Sequence, residues 1–288
     1  MQSQFITIIP FFGRWPFWMD LFLLSAERNP QFHWLFHTDC GIPASAPANI
    51  RFVETTFERY QQKVRDALKT DYYPEHAYKL CDIKPMLGYI HADEIRHYDY
   101  WGIGDIDLIH GQLAPFVSQF LPNYKLLSLM ADRICGHMTW FRNEPLYNEG
   151  FRQIPEWQTL LATNKHFSVT ERRYTKVFLK HRKFPLWLSK LLYPGNALLK
   201  EAFFLEAYTT PNAEIDWSRQ GGFPTEWAWR NGQISNDLNT STPPYFHFMK
   251  WKDLWKGAPS SQFMHVSLEQ ARAEGFRINE KGFFPLKP

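Results

Sequence analysis

The sequence predicts an α/β fold: a mixed, mostly parallel sheet flanked by helices, with a helical and basic insertion in the C-terminal half. Three observations carry this. Short continuous apolar runs at 5–9, 32–38 and 49–53 read as strands buried on both faces. Helical patterns at 17–28 and 57–69 are interleaved with them, as expected where crossovers join parallel strands. Turn formers or carboxylates follow the strands, at Pro10, Gly13 and Asp39. Ligands of such sheets bind beyond the carboxyl ends of the strands.

Taken in order, Phe-Ile-Thr-Ile-Ile at 5–9 stops at Pro10 and Gly13. Pro16 suits a first helical position, because a helix start leaves that N–H unpaired anyway. An apolar helix over 17–28 follows. The strand at 32–38 ends at Asp39, and 49–53 is a brief third strand. Thr55 or Thr56 caps a helix over 57–69, with Glu58, Arg59, Lys63 and Arg65 on its wet face. Helical sequence over 83–95 leads into Tyr98-Asp-Tyr-Trp-Gly-Ile-Gly-Asp-Ile-Asp-Leu-Ile-His-Gly111, an aromatic strand ending in two carboxylates. Then come a helix over 112–121, a strand over 125–129, a strand or loop over 135–143, and short helices up to 163. A further strand is expected over 203–209. Asn231-Gly232 between apolar neighbours signals a two-residue hairpin. Residues 245–249 form another aromatic strand, followed by Lys250, Lys252 and Lys256.

Composition narrows the function. The chain has 288 residues, 44% of them hydrophobic, enough for a sizeable core in a single domain over 1–288. Aromatic residues reach 17%, with 12 Trp and 25 Phe, and Trp and Tyr suit sugar and base stacking as well as packing. A net charge of +3 is too small to argue for a nucleic-acid partner. Cys40, Cys81 and Cys135 are few, odd in number and widely spaced, which excludes a disulfide framework and a zinc site and favours a reducing compartment. The chain start shows neither a basic region nor a small-residue cleavage site, so no secretory leader is expected. No apolar run is long enough to span a bilayer.

Alternation along a strand puts residues i and i+2 on one side, so Asp105 and Asp107 point together past the strand end while Ile106 turns into the core. Two carboxylates forced together repel and lose hydration, and a hard divalent cation relieves both costs. An Asp-rich turn or a capped helix start is the bland alternative. With His247 from the late aromatic strand, the set suits Mn²⁺ or Mg²⁺ held partly by a ligand's phosphates; alone, His247 reads as a core histidine. Lys250 or Lys252 can reach phosphates beside the same metal. Lys79, Asp82 and Lys84 crowd charge at a helix start, for a diphosphate and sugar hydroxyls or for capping and a surface salt bridge. Asp39, beside Pro10, Phe11 and Phe12, can hold a ribose while a ring stacks a base. His137, Arg142 and Asn143 can bind a hydroxyl-rich acceptor, and Glu171 is a candidate base or an acid at a helix start.

From Arg172 to Lys200, eight Lys/Arg interleave with aromatic and aliphatic residues and no Asp or Glu: Arg172, Arg173, Lys176, Lys180, Arg182, Lys183, Lys190 and Lys200. Phe178, Phe184, Leu186, Trp187, Leu188, Leu191, Leu192 and Tyr193 lie among them. This reads as an interfacial surface facing anionic lipid, or as a solvated helical hairpin with an ordinary core face.

Together the motifs resemble those of GT-A-fold glycosyltransferases, and more specifically an uncharacterised family encoded among bacterial polysaccharide genes. The family pattern is F-x-G-x-x-P after a strand, a strand ending in T-D, K-x-C-D-x-K-P, W-G-x-x-D-x-D-x-x-x-G and a late H-F. This chain carries Phe12-Gly13-Arg14-Trp15-Pro16, Thr38-Asp39, Lys79-Leu-Cys-Asp-Ile-Lys-Pro85, Trp101 to Gly111, and His247-Phe248. The match covers most of the chain up to about Asn143 and the piece around Tyr245 to Lys250.

The resemblance implies a GT-A-like, Rossmann-like domain. Residues 1–111 form its nucleotide-sugar-binding half and 112–250 its acceptor half, with the basic helical region at about 172–200 and a C-terminal tail at 251–288. It also implies a UDP- or GDP-sugar donor, with Asp105 and Asp107 holding the cation that bridges the diphosphate. Glycogenin-like relatives supply a metal-binding His and a phosphate-binding Lys from H-x-x-G-x-x-K. His247 matches the first; the glycine is absent and the lysine spacing differs. Asp82 and Lys84 sit where mannosyltransferases carry S-D-x-x-R. The implied function is transfer of a sugar to a glycan or lipid-linked glycan acceptor during capsule, O-antigen or lipopolysaccharide synthesis. The implied place is the cytoplasm, at the inner face of the membrane. Two other readings stand beside it. A nucleotidyl- or phosphotransferase would carry a Gly-rich phosphate loop near the first strand, where only Gly13 occurs. A non-catalytic carbohydrate-binding protein would use the aromatics alone.

Overall fold

The computed structural model describes residues 3–121, 123–180, 184–192, 197–211, 215–238 and 241–286. Its strands are β1 (Phe5–Pro10), β2 (Phe32–Thr38), β3 (Ile50–Glu54), β4 (Tyr100–Gly104), β5 (Leu108–His110), β6 (Leu126–Ser128), β7 (Met138–Arg142), β8 (Ala202–Phe204), β9 (Glu226–Arg230), β10 (Gln233–Asn236), β11 (Tyr245–His247), β12 (Phe276–Asn279) and β13 (Gly282–Pro285). The main sheet has the order β3-β2-β1-β4-β7-β6-β8. Its pairings are parallel except those of β7, which runs against both neighbours. The expected mixed, mostly parallel sheet flanked by helices is therefore present.

The continuous apolar runs are explained by burial on both faces. Ile6 and Ile8 of β1 pack into one core with Trp101 and Ile103 of β4, while Phe5 and Ile9 pack into the other with Tyr100. The helix Phe57–Leu68 begins at Thr56, whose side chain accepts from Arg59 N at 3.2 Å, satisfying one of the orphan donors at a helix start. It buries Tyr60, Val64 and Leu68 against the first core.

Several boundaries differ from expectation. The first helix starts at Met19 rather than at 17, because the preceding turn is held by Trp18, whose Nε1 donates to Ile106 O at 3.0 Å. Residues 83–95 do not form one helix. A 3₁₀ segment (Ala77–Met86) contains Pro85, which lacks an N–H, and short α-helices follow at Leu87–Ile90 and Ala92–Ile95. The strand expected to run on through Asp107 breaks into β4 and β5, leaving Asp105 to Asp107 as a corner. Residues 251–288, expected as a C-terminal tail, include the helix Leu268–Glu274 and the β12–β13 hairpin, which joins the hairpin β9–β10 in a sheet of order β10-β9-β12-β13. Asn231 and Gly232 both take positive φ, 49° and 83°, as a tight two-residue hairpin requires.

In the basic window, the described elements are a π-helical turn (Val169–Tyr174) and helices Thr175–Phe178, Leu186–Leu192 and Ala197–Lys200. Arg182, Lys183 and Tyr193 lie outside the described residues. Phe178 is buried, while Phe184, Trp187, Leu191 and Leu192 are exposed. Among the described residues no helix is long and apolar enough to cross a membrane. All three cysteines are free.

Candidate active site

Two register relationships build the site. β5 pairs antiparallel with β11, setting His247 opposite Leu108, next to Asp107. β7 pairs with β4 so that Met138 meets Gly104 and Arg142 meets Tyr100. Residues just before β7 therefore lie at the carboxyl end of β4, beside Asp105, and Arg142 lies at the far end.

Asp105, Asp107 and His247 each offer a ligand atom, and these atoms lie within 4.8 Å of one another. Asp107 is 2% exposed and His247 3%. Burial, and the His137 ring stacked 4.2 Å away, hold the His247 pKa below the usual histidine value against the opposing pull of Asp107. The His247 Nδ1 lies 3.2 Å from Thr210 Oγ1, and the His247 backbone N donates to Thr209 O at 2.9 Å. Nε2 lies 3.3 Å from Asp107 Oδ2 and has no hydrogen-bond partner among the described residues. The Thr210 hydroxyl can donate to or accept from Nδ1; in the tautomer with Nδ1 protonated, Nε2 turns its lone pair toward the space beside Asp107. That tautomer is the one that binds a cation through Nε2, with Thr210 as the second contact on Nδ1 that metal-bound histidines commonly have. Two carboxylates and one imidazole fit Mn²⁺ or Mg²⁺.

Lysines surround this group. Lys252 Nζ donates to Asp107 Oδ2 at 2.5 Å. Lys84 Nζ bonds Asp105 Oδ1 and donates to Gly136 O at 2.9 Å. Against the opposing effect of burial, Asp105, Cys81 and Glu171 hold the Lys84 pKa above its usual value, and Asp107 does the same for Lys252. Asp107, although buried, is held ionised, well below the ordinary carboxylate range, first by His247 and then by the cationic Lys252 beside it. The Glu171 carboxylate rests on Gly136, where a Cβ would meet its Oε1 at 2.3 Å. Gly136 is thus the space into which Glu171 folds.

These groups border one cavity of about 730 Å³. Pro10, Phe11 and Phe12 form one wall at the end of β1, and Lys84, Asp105, Asp107 and His247 form the floor. Glu171 and Ser168 lie on a second wall, and Lys250, Lys252 and Lys256 on a third. Both lysines that the sequence offered after β11 therefore reach the cavity, with Lys252 on Asp107. Asp39 supports the rim without lining it: its Oδ1 accepts from Gly13 N at 2.7 Å. Phe11 stacks on Trp15, with ring centroids 5.1 Å apart.

Besides Asp39, five residues expected to contact a ligand do not line the cavity: Lys79, Asp82, His137, Arg142 and Asn143. Lys79, expected on a diphosphate, is buried and donates to Asp82 Oδ2 (3.0 Å), Leu160 O (2.7 Å) and Lys165 O (2.6 Å). Asp82, expected on sugar hydroxyls, is fully buried and accepts from the N–H groups of Phe167 and Val169. The pair braces the loop that carries His166 and Ser168 to the cavity wall. Arg142 pairs with Asp99 and Glu144 and sits over the Tyr100 ring, while Asn143 donates to Ile95 O and Tyr98 O, both at 3.0 Å. Reversal of β7 carries both away from the acceptor position expected for them. His137 is close but buried, with Nε2 2.7 Å from Tyr245 Oη, behind His247.

The sequence reading missed Ser168, His166, Tyr78 and Thr210. Ser168 takes the left-handed conformation, φ 51°, at the start of the π-helical turn. It stands between the apolar Phe167 and Val169 in an aperiodic stretch, so no pattern marked it. Thr210 lies at the end of an irregular stretch, and its role depends wholly on the β5–β11 register.

Residues 7–287 match the family described as Family of unknown function (DUF6625), and the chain belongs to it. No curated protein matches the sequence. Among solved structures the chain is similar to mouse xyloside xylosyltransferase 1, apo form, at 9% identity and TM-score 0.37 over 87% of this chain and 98% of that one. It is also similar to the glycosyltransferase GlyE of Streptococcus pneumoniae TIGR4, at 10% identity and TM-score 0.37, over 90% of this chain and 57% of that one. The apo form of GlyE gives a TM-score of 0.34 at 10% identity, over 73% of this chain and 46% of that one. The chain spans about half the length of GlyE.

Proposed function

We propose that this member of the DUF6625 family is a metal-dependent, GT-A-like glycosyltransferase that moves a sugar from a nucleotide-sugar donor to a glycan acceptor. The observation that carries the reading is the unpaired, buried His247 Nε2 facing Asp107, with Asp105 beside it, on the floor of a cavity walled by aromatics and lysines. Asp105, Asp107 and His247 would hold Mn²⁺ or Mg²⁺. When bound, the ion stabilises negative charge on the departing diphosphate.

The protein's own groups supply the rest. Lys250 and Lys252 offer ammonium groups to diphosphate oxygens, and their charge is already in place as the anomeric bond breaks. Lys84 stays on Asp105 and fixes that carboxylate. Phe11, backed by Trp15, offers an aromatic face to the nucleobase, a UDP or GDP sugar being the donor class. Glu171 is the base that takes a proton from an acceptor hydroxyl. The exposed Trp187 and Leu191, 67% and 68% accessible, stand with Phe184, Leu192 and Lys190 as a patch for an anionic membrane surface. That placement suits a lipid-linked acceptor in bacterial capsule, O-antigen or lipopolysaccharide synthesis, with the enzyme peripheral at the cytoplasmic face.

A thermal-shift panel tests the reading. Nucleotide sugars are expected to raise the melting temperature only when Mn²⁺ is present, because a ligand that binds the native state alone stabilises it by mass action. Stabilisation by free sugars, with no response to nucleotide and Mn²⁺ together, would instead identify a carbohydrate-binding protein.

A further inference from the structure

A second cavity, of about 650 Å³, opens beside the first. Five of its lining residues are Lys165, Arg172, Arg173, Lys176 and Lys180, and none of its lining residues is a carboxylate. Arg172, Arg173 and Lys176 are exposed, and none of these three pairs with a carboxylate among the described residues. Cations gathered round one concavity repel one another, and an anion entering it removes that cost. The nearby acid does not do so, because Asp82 is committed to Lys79 and to two backbone N–H groups. The floor is rigid: Thr175 is buried, its Oγ1 accepting from Ile134 N at 3.0 Å and donating to Thr170 O at 3.2 Å.

The two cavities share a wall. His166 lines both. One π-helical turn presents Glu171 to the first cavity and Arg172 and Arg173 to the second. Such turns occur often at functional sites, because the extra residue re-aims neighbouring side chains. Guanidinium groups bind phosphate oxygens in paired, charge-assisted hydrogen bonds.

We infer that the basic cavity holds a phosphate or diphosphate group of the acceptor, so that the acceptor's hydroxyl crosses the His166 wall to Glu171. This rests on the transferase reading of the first cavity and adds to it the chemical class of the acceptor. The anion is anchored by Arg172, Arg173 and Lys176, apart from the donor lysines.

Titration calorimetry of the full chain with inorganic pyrophosphate in EDTA tests it. Arg172→Gln/Arg173→Gln is expected to weaken binding by at least about tenfold, and Lys176→Gln by several-fold, since each removes a charge-assisted contact. Lys281→Gln is expected to leave this binding within about twofold, because Lys281 is exposed and lines neither cavity. Pyrophosphate binding that survives Arg172→Gln/Arg173→Gln unchanged overturns the proposal. The Mn²⁺-dependent response to nucleotide sugars should survive that double substitution. A wild-type chain that binds pyrophosphate through Arg172 and Arg173 but lacks the Mn²⁺ response would keep the anion site and overturn its assignment to an acceptor. Cosedimentation with phosphatidylglycerol vesicles separates two sources of the phosphate. Release from vesicles by pyrophosphate assigns the site to a lipid-borne phosphate. Vesicle binding unaffected by pyrophosphate, alongside pyrophosphate binding that needs Arg172 and Arg173, assigns it to a soluble phosphorylated acceptor.

Discussion

Lys252 Nζ lies 2.5 Å from Asp107 Oδ2, although 145 positions separate the two residues. The ammonium group stands on the carboxylate that a metal would also need. Lys252→Met removes a competitor for the cation and a partner for the diphosphate at the same time. Mn²⁺ binding to the free protein is therefore expected to tighten several-fold, while nucleotide-sugar binding with Mn²⁺ present weakens about tenfold, the worth of one charge-assisted contact. Calorimetry of the two ligands separately checks the opposite signs. Weakening of both would place Lys252 in the metal site's support instead.

Gly136 exists to receive Glu171. A Cβ there meets Glu171 Oε1 at 2.3 Å, the far end of a flexible side chain that can swing aside. Gly136→Ala should therefore cost the fold less than about 1 kcal/mol. It should lower turnover by at least about tenfold, because a displaced base loses its reach to the acceptor. Denaturant unfolding and initial transfer rates measure the two. Unchanged turnover would remove Glu171 from the chemistry.

Asp82 and Lys79 are both sealed from water, whereas the cavity-lining pair Lys256 and Asp253 is exposed. Breaking a buried pair leaves an uncompensated charge, at a cost of about 3–5 kcal/mol. Lys79→Met is expected to approach that loss in urea denaturation, and Lys256→Met, which leaves only the exposed Asp253 without its partner, to cost clearly less. Equal losses would contradict the distinction drawn here between brace and site.

Acid should destabilise the protein through its buried histidines. Desolvation holds His110 down to about 3 and His91 to about 4, and lowers His247. A histidine depressed in the folded state contributes fully above the unfolded value of about 6.5, and that contribution fades as pH falls towards its folded value. Stability should thus fall from about pH 6.5 down to about pH 4, by up to ~1.4 kcal/mol per pH unit for each such group. Neither ring nitrogen of His110 has a partner, and the ring packs between Phe22 and Trp34. His110→Phe should keep the packing, flatten the acid limb and raise the melting temperature most at pH 5. Melting curves at pH 7.5 and 5.0 check this; an unaltered pH slope would exclude His110 as a contributor.

Much of this was legible because local rules sufficed. Ile6, Ile8 and Phe5 needed only an unbroken apolar run to announce burial on both faces, and Thr56 needed only its place before Phe57. Asp105 and Asp107 announced a strand end through spacing alone. Convergence of His247 on Asp107 was legible only as a conjecture, since it depends on the β5–β11 register. The failures share a cause. A charge at a helix start looks the same in sequence whether it meets water or, like Asp82, the backbone of a loop some 85 positions away. Arg142 and Asn143 were misplaced because hydrophobic alternation carries no sign of strand direction, and β7 runs backwards. The strands β12 and β13 were missed because each spans only four residues with charges on either side.

The most direct test of the central claim is titration of Mn²⁺ and a nucleotide sugar together into the wild-type chain and into Asp107→Ala. A wild-type chain is expected to bind the nucleotide sugar only with Mn²⁺. Asp107→Ala should lose that binding and all metal-dependent transfer while melting within about 5 °C of wild type, because its partner Lys252 is part-exposed and can turn to water. A folded Asp107→Ala protein that still binds and transfers with Mn²⁺ would contradict the account.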